Sequence, residues 1–445
     1  MPTPSRAPRR RPRTPRRTAA GVLASVLVLL PGALGTVAPA SAAPASDAWW
    51  FDALGVGDVH KDTRGAGATV LLVDGTIDTS VPDLADTGIE LTQDCRAEPM
   101  ESYTEPDAEH GTWMAALIKG SGSGPQGIAG VAPEADLKYF TLDLDPYSDG
   151  IACKSSALPL LEDLVESVEG GPILSLSVGN LAFGWDDFQD VVEKSGGVAV
   201  ASAGDYTDAV GGEGMMDLPA GFAGYVAVLA LDEKAQPWRD NPLPYKVLGK
   251  YRGYPTIAAP GVDIPGYTWR GNRFVAGEPQ EGTSPATALV AGSLALVRAK
   301  YPEATGNQLI QHMIHFDQTP GNFTYDDAYG FGIISLRNMM ANDPTLWPDV
   351  NPLLEGNPKR VLQKFPSSIY GDGAEAEDPD AAGPEQSEQE SDPASAEDSA
   401  TDAAGATEES VSGSGSVLPW VAGGVVVLLI AAGATVLARR GKTNA

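Results

Sequence analysis

Basic residues are scarce in this chain. Its 445 residues include 30 lysines and arginines against 59 aspartates and glutamates, which gives a formal net charge of −29. Proteins that bind nucleic acid contact its phosphates with patches of lysine and arginine. The acidic balance therefore argues against a nucleic-acid-binding function.

Cysteine and histidine are scarce too, with two and four residues. No zinc-binding spacing is present, and the pair His312 and His315 has no further ligand close in sequence. We expect a surface or half-buried histidine pair, with no metal and no other cofactor, although the acidic surface leaves structural calcium open. In an exported chain Cys95 and Cys153 would form one disulfide, and the alternative is two free thiols.

Charged residues are absent from two apolar runs, one near each end of the chain. The first follows an arginine-rich start and precedes a small-residue cleavage site at 40–42, which predicts a secretory signal peptide over 1–42. The second run, 417–438, is long enough to span a bilayer. The basic tail that follows it, 439–445, is typical of the cytoplasmic side. The sequence therefore predicts a single-pass cell-membrane protein with its body outside; the alternatives are an uncleaved anchor and a buried soluble helix.

Lysine, arginine and aromatic residues are missing from the segment 371–416, which is rich in aspartate and glutamate. Such a segment cannot bury enough apolar surface to fold, and its like charges keep it extended. It is predicted to be a disordered linker, with an acidic lure for a cationic partner or calcium as the alternative. The preceding segment, 346–370, has apolar residues that could dock on the body, but the sequence gives it no assignment.

The body of the protein, 43–345, alternates short apolar runs with amphipathic helical stretches. Strands that are apolar on both faces and separated by helices indicate a mostly parallel sheet covered by helices on both sides. The functional residues of such a sheet lie past the carboxyl ends of its strands. The predicted strands are 66–75, 136–143, 172–179, 196–204 and 224–232, and the predicted helices include 110–120, 157–170, 186–196 and 284–302.

Three positions in this body carry groups suited to acyl transfer. Asp74 ends the first strand, His110 opens a helix, and Ser284 opens the longest apolar helix, with Pro285 in its first turn. A serine at a helix N-terminus has N–H groups nearby that stabilise an oxyanion. Histidine is a base near neutral pH, and aspartate orients it. The chain order Asp, His, Ser is that of subtilisin-type triads.

Around these positions the sequence resembles subtilisin-type (S8) serine proteases. The blocks read VLLVDGTIDTSVPDL around Asp74, HGTWMAALIKG from His110 and EGTSPATALVAGSLALVRAKYP around Ser284, and LSLSVGN, LPAGFAGYVAVLALDE and IAAPGVDIPG agree as well. The resemblance implies a three-layer subtilisin-like α/β fold and endopeptidase activity on protein or peptide substrates. The order of segments resembles the mycosins, membrane-anchored subtilases of actinobacteria, which implies type VII secretion components as partners.

The resemblance also assigns a substrate-binding segment. Ser177, Val178 and Gly179 would form the edge strand that pairs with an extended substrate backbone. The alternative for this stretch is an ordinary core strand followed by a turn.

One position departs from the family pattern in a way that bears on catalysis. Where subtilisin-type proteases have Ala-Gly-Asn, with the asparagine amide donating to the oxyanion, this sequence has Ala203-Gly204-Asp205. The oxyanion hole would consist of the Ser284 N–H and Asp205. An ionised carboxylate only accepts hydrogen bonds, so Asp205 could not donate to the oxyanion. We expect slow turnover at neutral pH, and faster turnover in mild acid if Asp205 must be protonated. The alternative function is a structural or binding component of a secretion complex.

Overall fold

A computed structural model describes the chain over eight stretches: 48–94, 102–123, 126–142, 150–179, 184–205, 216–241, 254–319 and 322–367. The predicted signal peptide, acidic linker, transmembrane helix and cytoplasmic tail lie outside these residues, as do the side chains of Cys95 and Cys153. Those predictions, and the disulfide, stay predictions. Within the described stretches, no helix is both long and apolar enough to cross a bilayer.

A seven-stranded parallel sheet forms the centre of the described structure. Its strands are β1 (Thr69–Asp74), β2 (Glu90–Asp94), β3 (Asp136–Thr141), β4 (Ile173–Leu176), β5 (Val198–Ser202), β6 (Val226–Leu231) and β7 (Ile257–Pro260). They lie in the order β2-β3-β1-β4-β5-β6-β7. The inner strands are mostly apolar and buried because both faces of the sheet are covered, as expected for a parallel sheet. All seven carboxyl ends therefore meet at one edge.

A separate antiparallel hairpin precedes the longest apolar helix. It consists of β8 (Ile264–Trp269) and β9 (Phe274–Gln280), whose register shifts between Gly266 and Tyr267. The hairpin is tied to the body by the Tyr267 hydroxyl, which donates to Asp83 over 2.7 Å. The sequence does not predict this hairpin, because prolines interrupt its alternation of polar and apolar residues.

Helices cover both faces of the sheet. The longer ones are α3 (Glu109–Lys119), α4 (Gly150–Glu166), α5 (Trp185–Lys194), α6 (Thr283–Lys300) and α7 (Gly306–His315), and the shorter ones are α1 (Trp49–Ala53), α2 (Val56–Val59), α8 (Leu336–Ala341) and α9 (Pro358–Lys364). One apolar core joins the sheet to α3, α6, α7 and α8, and a second joins its other face to α4 and α5. The predicted α/β class, with a mostly parallel central sheet between two helical layers, is confirmed.

Residues 346–367, which the sequence leaves unassigned, pack along α7. Trp347 is buried, stacks on His315 with ring centroids 4.1 Å apart, and donates its indole N–H to His312 Nδ1 over 3.1 Å. The backbone carbonyl of Phe365 lies 2.8 Å from His315 Nε2. This segment therefore covers the face of α7 that would otherwise meet solvent.

The same contacts correct the expectation for the histidine pair. His312 and His315 are 0% and 5% exposed, so they are neither on the surface nor half-buried. Burial lowers the pKa of His312 to about 4. Across the described residues, no cluster of three or more histidine, cysteine, aspartate or glutamate side chains is suited to hold a metal ion. The two rings act as packing and hydrogen-bonding groups beneath the segment that contains Trp347.

Replacing Trp347 with alanine tests whether this segment stabilises the body. Because the indole is buried on His315 and bonded to His312, we expect Trp347→Ala to lower the free energy of unfolding by about 3–5 kcal/mol. The matched control is Leu346→Ala, since Leu346 is 50% exposed and its truncation should change stability by about 0.5 kcal/mol or less. Urea denaturation followed by tryptophan fluorescence measures both, and equal effects would contradict this role.

Candidate active site

The end of β1 and the start of α3 meet at the carboxyl edge of the sheet. Asp74, the last residue of β1, is fully buried, whereas the His110 side chain is 42% exposed. His110 Nδ1 lies 2.8 Å from Asp74 Oδ1 and donates to it. This bond fixes the tautomer of the ring, with the proton on Nδ1, and leaves Nε2 as the acceptor.

The turn after Asp74 is held by two hydrogen bonds at Gly75. The N–H of Gly75 donates to Asp74 Oδ1 over 2.7 Å, and Tyr139 donates to the Gly75 carbonyl over 2.9 Å. Gly111 allows α3 to approach this turn, because a Cβ there would lie 1.9 Å from the Tyr139 hydroxyl oxygen. The close packing of α3 against this turn therefore fixes the position of His110.

The charges around His110 favour its imidazolium form. Burial alone would lower the pKa of His110, but the charge and hydrogen bond of Asp74 outweigh burial, and Asp205 and Glu109 add to them. The net effect raises the pKa above its ordinary value of 6.5. A base with a raised pKa needs a higher pH to be neutral, but it then accepts a proton more readily.

Ser284 lies in the first turn of α6 and is linked to residue 177 in both directions. Its hydroxyl donates to the Ser177 carbonyl over 3.1 Å, and the Ser177 hydroxyl donates to the Ser284 carbonyl over 3.0 Å. Among the described residues, no hydrogen bond joins Ser284 to His110. A rotation about χ1 of Ser284 would redirect its hydroxyl, and hydrogen bonds of catalytic groups often tighten only when substrate is bound.

The proposed substrate-binding segment at 177–179 stays a prediction. The strand β4 ends at Leu176 and lies between β1 and β5, so it is an inner strand. Residues 177–179 continue beyond its end as an extension past the sheet, because no described neighbouring strand extends alongside them. Ser177 and Val178 are buried and Gly179 is half-buried, so any pairing with substrate would use this extension.

Asp205 lies against the N-terminus of α6. Its Oδ1 accepts from the backbone N–H of Thr283 over 3.1 Å and from the Thr283 hydroxyl over 3.0 Å. The same hydroxyl accepts from the N–H of Gly204 over 3.2 Å. A carboxylate suits this place because the N-terminus of a helix has unpaired N–H groups and the positive end of its dipole. Asp205 therefore caps α6 next to Ser284.

Thr283 is the residue that the sequence does not reveal. The sequence predicts only that Thr283 lies at the start of a helix. In the structure its hydroxyl is hydrogen-bonded to Gly204 and Asp205, and so joins the segment after β5 to the segment that contains Ser284. The contact spans 78 positions in the chain, so no local pattern could indicate it. It brings Asp205 close to both Ser284 and His110.

The arrangement has the parts of a nucleophilic hydrolase: an oriented base, a hydroxyl at a helix N-terminus, and backbone N–H groups beside it. Comparison with known proteins identifies the class. The model of the subtilase family, peptidase S8, matches residues 65–332. The chain belongs to the subtilase family. Members of that family that resemble this chain are subtilisin-type serine proteases.

Curated subtilases and solved structures agree with this assignment. The thermostable alkaline protease of Halalkalibacterium halodurans is 30% identical over 293 residues, which cover 64% of this chain and 71% of the relative. Fervidolysin of Fervidobacterium pennivorans is 25% identical over 302 residues, but the match covers 42% of its length. The chain therefore spans less than half of that larger subtilase.

Two solved structures share this fold, and one of them comes from a type VII secretion system. One is MycP1 from the ESX-1 system, with a TM-score of 0.51 and 22% identity over 71% of this chain and 90% of that chain. The other is a chain of the periplasmic assembly from the ESX-5 inner membrane complex, with a TM-score of 0.54 and 19% identity over 66% of this subtilase and 84% of that chain. At these sequence identities, the likeness shows a shared fold and does not by itself show a shared function.

The electrostatics of His110 can be measured in this subtilase without substrate. We expect the pKa of the His110 imidazole to lie above 6.5. Both Asp74→Asn and Asp205→Asn should lower this pKa, and Asp74→Asn should lower it more because Asp74 raises it more than any other group does. Nitrogen-15 NMR of the imidazoles measures each titration, with His110→Gln used to assign the signal. The matched control is Glu134→Gln, which removes a carboxylate near His60 and should leave His110 unchanged. An identical His110 titration in Asp205→Asn would contradict this electrostatic coupling.

Proposed function

We propose that this subtilase is a membrane-anchored, extracellular serine endopeptidase in which Ser284, His110 and Asp74 are the catalytic residues. The observation that carries the proposal is the 2.8 Å hydrogen bond from His110 Nδ1 to the buried Asp74. Asp205, whose charge acts on His110, also accepts from the N–H of Thr283, the residue before Ser284. Membrane anchoring rests on the apolar run 417–438 and the basic tail after it. It also rests on the signal peptide pattern at 1–42.

The chemistry follows from the places of the three groups. Ser284 Oγ turns from the Ser177 carbonyl, attacks the carbonyl carbon of a peptide bond and passes its proton to His110 Nε2. Asp74 keeps the ring oriented and stabilises the imidazolium. His110 then gives the proton to the leaving amine, which breaks the peptide bond and leaves an acyl group on Ser284. Water, activated by His110, releases that acyl group by the same steps.

The proposed site stabilises the oxyanion poorly. The N–H of Ser284 at the start of α6 can donate to it, whereas an ionised Asp205 can only accept. Loss of one oxyanion donor typically lowers the rate by about 10²–10³-fold. Slow turnover at neutral pH is therefore expected of the chain as it stands.

Mild acid has two opposing effects on this site. Protonation of Asp205 would turn it into a donor, which favours a lower pH. His110 accepts the serine proton only when it is neutral. Because its pKa is raised, His110 becomes protonated at a higher pH than an ordinary histidine does, and the site then lacks its base. We therefore expect a narrow optimum, with the gain in acid limited by His110.

Labelling with a fluorophosphonate probe tests the nucleophile directly. The probe should phosphonylate Ser284 in the folded chain between pH 5 and 8, and Ser284→Ala should abolish the label. Ser293→Ala is the matched control, because Ser293 lies in the same helix, is buried and donates to the Leu289 carbonyl over 2.8 Å. Labelling that persists in Ser284→Ala, or is absent from the folded wild type, would refute the proposal.

Substitution of Asp205 separates charge from hydrogen bonding. Asp205→Asn can keep Oδ1 on Thr283 and supply an amide donor, so its rate at neutral pH should rise by up to about 10²–10³-fold. Asp205→Ala removes the charge but supplies no donor, so it should shift the acid limb of the pH–rate profile to lower pH and raise the rate at neutral pH by less than Asp205→Asn does. Equal rates for the two variants would place Asp205 outside the oxyanion hole.

A second candidate function is a structural or binding component of a type VII secretion complex, with weak or dispensable protease activity. Asp205 favours it, because a residue that caps α6 with a carboxylate sustains the fold while impairing the oxyanion hole. The fold shared with MycP1 and with a chain of the ESX-5 periplasmic assembly supports type VII components as partners. Deletion that stops secretion while Ser284→Ala does not would favour this candidate, whereas loss of secretion in Ser284→Ala would favour the protease.

A further inference from the structure

The base and the nucleophile of the proposed site begin two different helices. His110 is the second residue of α3, and Ser284 is the second residue of α6. Within the stretches that the structure describes, no hydrogen bond joins their side chains. A base must come within about 2.6–3.2 Å of the group whose proton it takes. The reaction therefore depends on contacts that hold the start of α3 against the chain that leads into α6.

The β8–β9 hairpin makes two such contacts. Its last residue, Gln280, lies four positions before Ser284, and the side-chain amide of Gln280 donates to the Glu109 carboxylate over 3.3 Å. The buried indole of Trp113 donates its N–H to the Pro265 carbonyl on β8 over 2.9 Å. Glu109 and Trp113 are four residues apart on α3 and so share one face of the helix. The hairpin thus holds the first two turns of α3 through that face.

The amide of Gln280 is held in place from within the hairpin. Its Nε2 also donates to the Tyr267 carbonyl on β8, so the two hydrogens of one amide nitrogen bond to two different elements. The strand register shifts between Gly266 and Tyr267, and a Cβ at Gly266 would lie 2.8 Å from Gln280 Nε2. Irregularities of this kind re-aim side chains. The hairpin is therefore shaped to direct this amide towards α3.

The segment between Gln280 and Ser284 is short and hydrogen-bonded. The N–H of Gly282 donates to the Gly261 carbonyl over 2.9 Å, and the N–H and hydroxyl of Thr283 are both bonded to the carboxylate that caps α6. Three residues with these bonds leave little freedom between the end of β9 and the nucleophile. A shift of Gln280 would therefore be passed on to Ser284.

The acceptor of this bond lies next to the base in sequence. Glu109 precedes His110 and acts on it as a negative charge. Both Glu109 and Gln280 are half-buried, and a hydrogen bond to a carboxylate is stronger than one between neutral groups. The bond fixes the backbone at the start of α3 and also the place of a charge beside the base.

We propose that Gln280 is a positioning residue, which holds His110 at a fixed distance from Ser284 by donating to Glu109. The inference rests on the proposed endopeptidase function and adds a residue to that site. Gln280 takes no part in the proton transfers and acts through Glu109. A misplacement of about 1 Å between reacting groups can lower a rate by about 10²-fold, so a single side-chain bond can affect catalysis.

The test uses the full-length chain in detergent and measures the rate of fluorophosphonate labelling, together with kcat and KM on a fluorogenic peptide. Gln280→Met keeps the length of the side chain but donates no hydrogen bond. We expect it to lower the labelling rate and kcat by about 5- to 10-fold, with KM little changed. Gln280→Ala should do the same if the methionine variant folds poorly.

The matched control is Gln236→Met. Gln236 is exposed after β6, and its amide donates to the Lys234 carbonyl over 3.2 Å, so its replacement should leave the labelling rate and kcat as they are. Undiminished labelling in a folded Gln280 variant would overturn the inference. A rise in KM with kcat intact would overturn it as well, because it would place Gln280 in substrate binding.

A double-mutant cycle tests whether Gln280 acts through Glu109. Glu109→Ala removes the acceptor, so the double variant with Gln280→Met should lose no more labelling rate than the single variants do. Glu109→Gln removes the charge but keeps an acceptor oxygen, and should retain more of the rate than Glu109→Ala. Losses that multiply in the double variant, or equal losses in the two Glu109 variants, would contradict the link.

The pKa of His110 separates this inference from the proposed function, because nitrogen-15 NMR measures it without catalysis. Since the charge of Glu109 raises that pKa, release of Glu109 by Gln280→Met should lower it towards the value in Glu109→Gln. In a chain that does not label, this shift supports the inference while the proposed function fails, and an unchanged titration refutes the inference. Labelling of the wild type that Gln280→Met leaves intact refutes the inference alone.

Discussion

The hydrogen bond between Asp74 and His110 sets the conditions for the rest of the site. It joins a fully buried carboxylate at the end of β1 to a half-exposed ring at the start of α3 over 2.8 Å. A parallel sheet brings its carboxyl ends to one edge, and this is why the end of one strand can orient a base from a helix elsewhere in the chain. The close approach allowed by Gly111 fixes the distance, and the charge of Asp74 raises the pKa of the ring.

At the N-terminus of α6, the sequence predicts a departure from the family pattern. The helix places Ser284 among N–H groups, but the neighbouring acceptor, Asp205, takes the N–H and hydroxyl of Thr283. In the proposed function, the same carboxylate stabilises the helix that presents the nucleophile and opposes the oxyanion. It also helps to raise the pKa of His110. Helix stability and catalysis make opposite demands on this one residue, and the second candidate function follows from the same conflict.

Much of this architecture can be predicted from the sequence. The parts that cannot are polar strands at the sheet edge and contacts between residues that are distant in sequence. The strands β1 and β3 to β6 are predicted because apolar runs identify strands covered on both faces, whereas β2 lies at the sheet edge and is largely polar. The ends of the predicted strands also locate Asp74 and the segment of Asp205. The contact between Asp205 and Thr283 and the burial of His312 depend on residues distant in sequence, so no local pattern reveals them.

A crystal structure of Ser284 carrying a phosphonate adduct would test the central claim most directly, because the phosphonyl oxygen occupies the place of the oxyanion. We expect the phosphorus on Ser284 Oγ, His110 still bonded to Asp74, the phosphonyl oxygen on the N–H of Ser284, and Asp205 still accepting from Thr283. An adduct on another residue, or an Asp205 side chain turned away from both Thr283 and the phosphonyl oxygen, would contradict it.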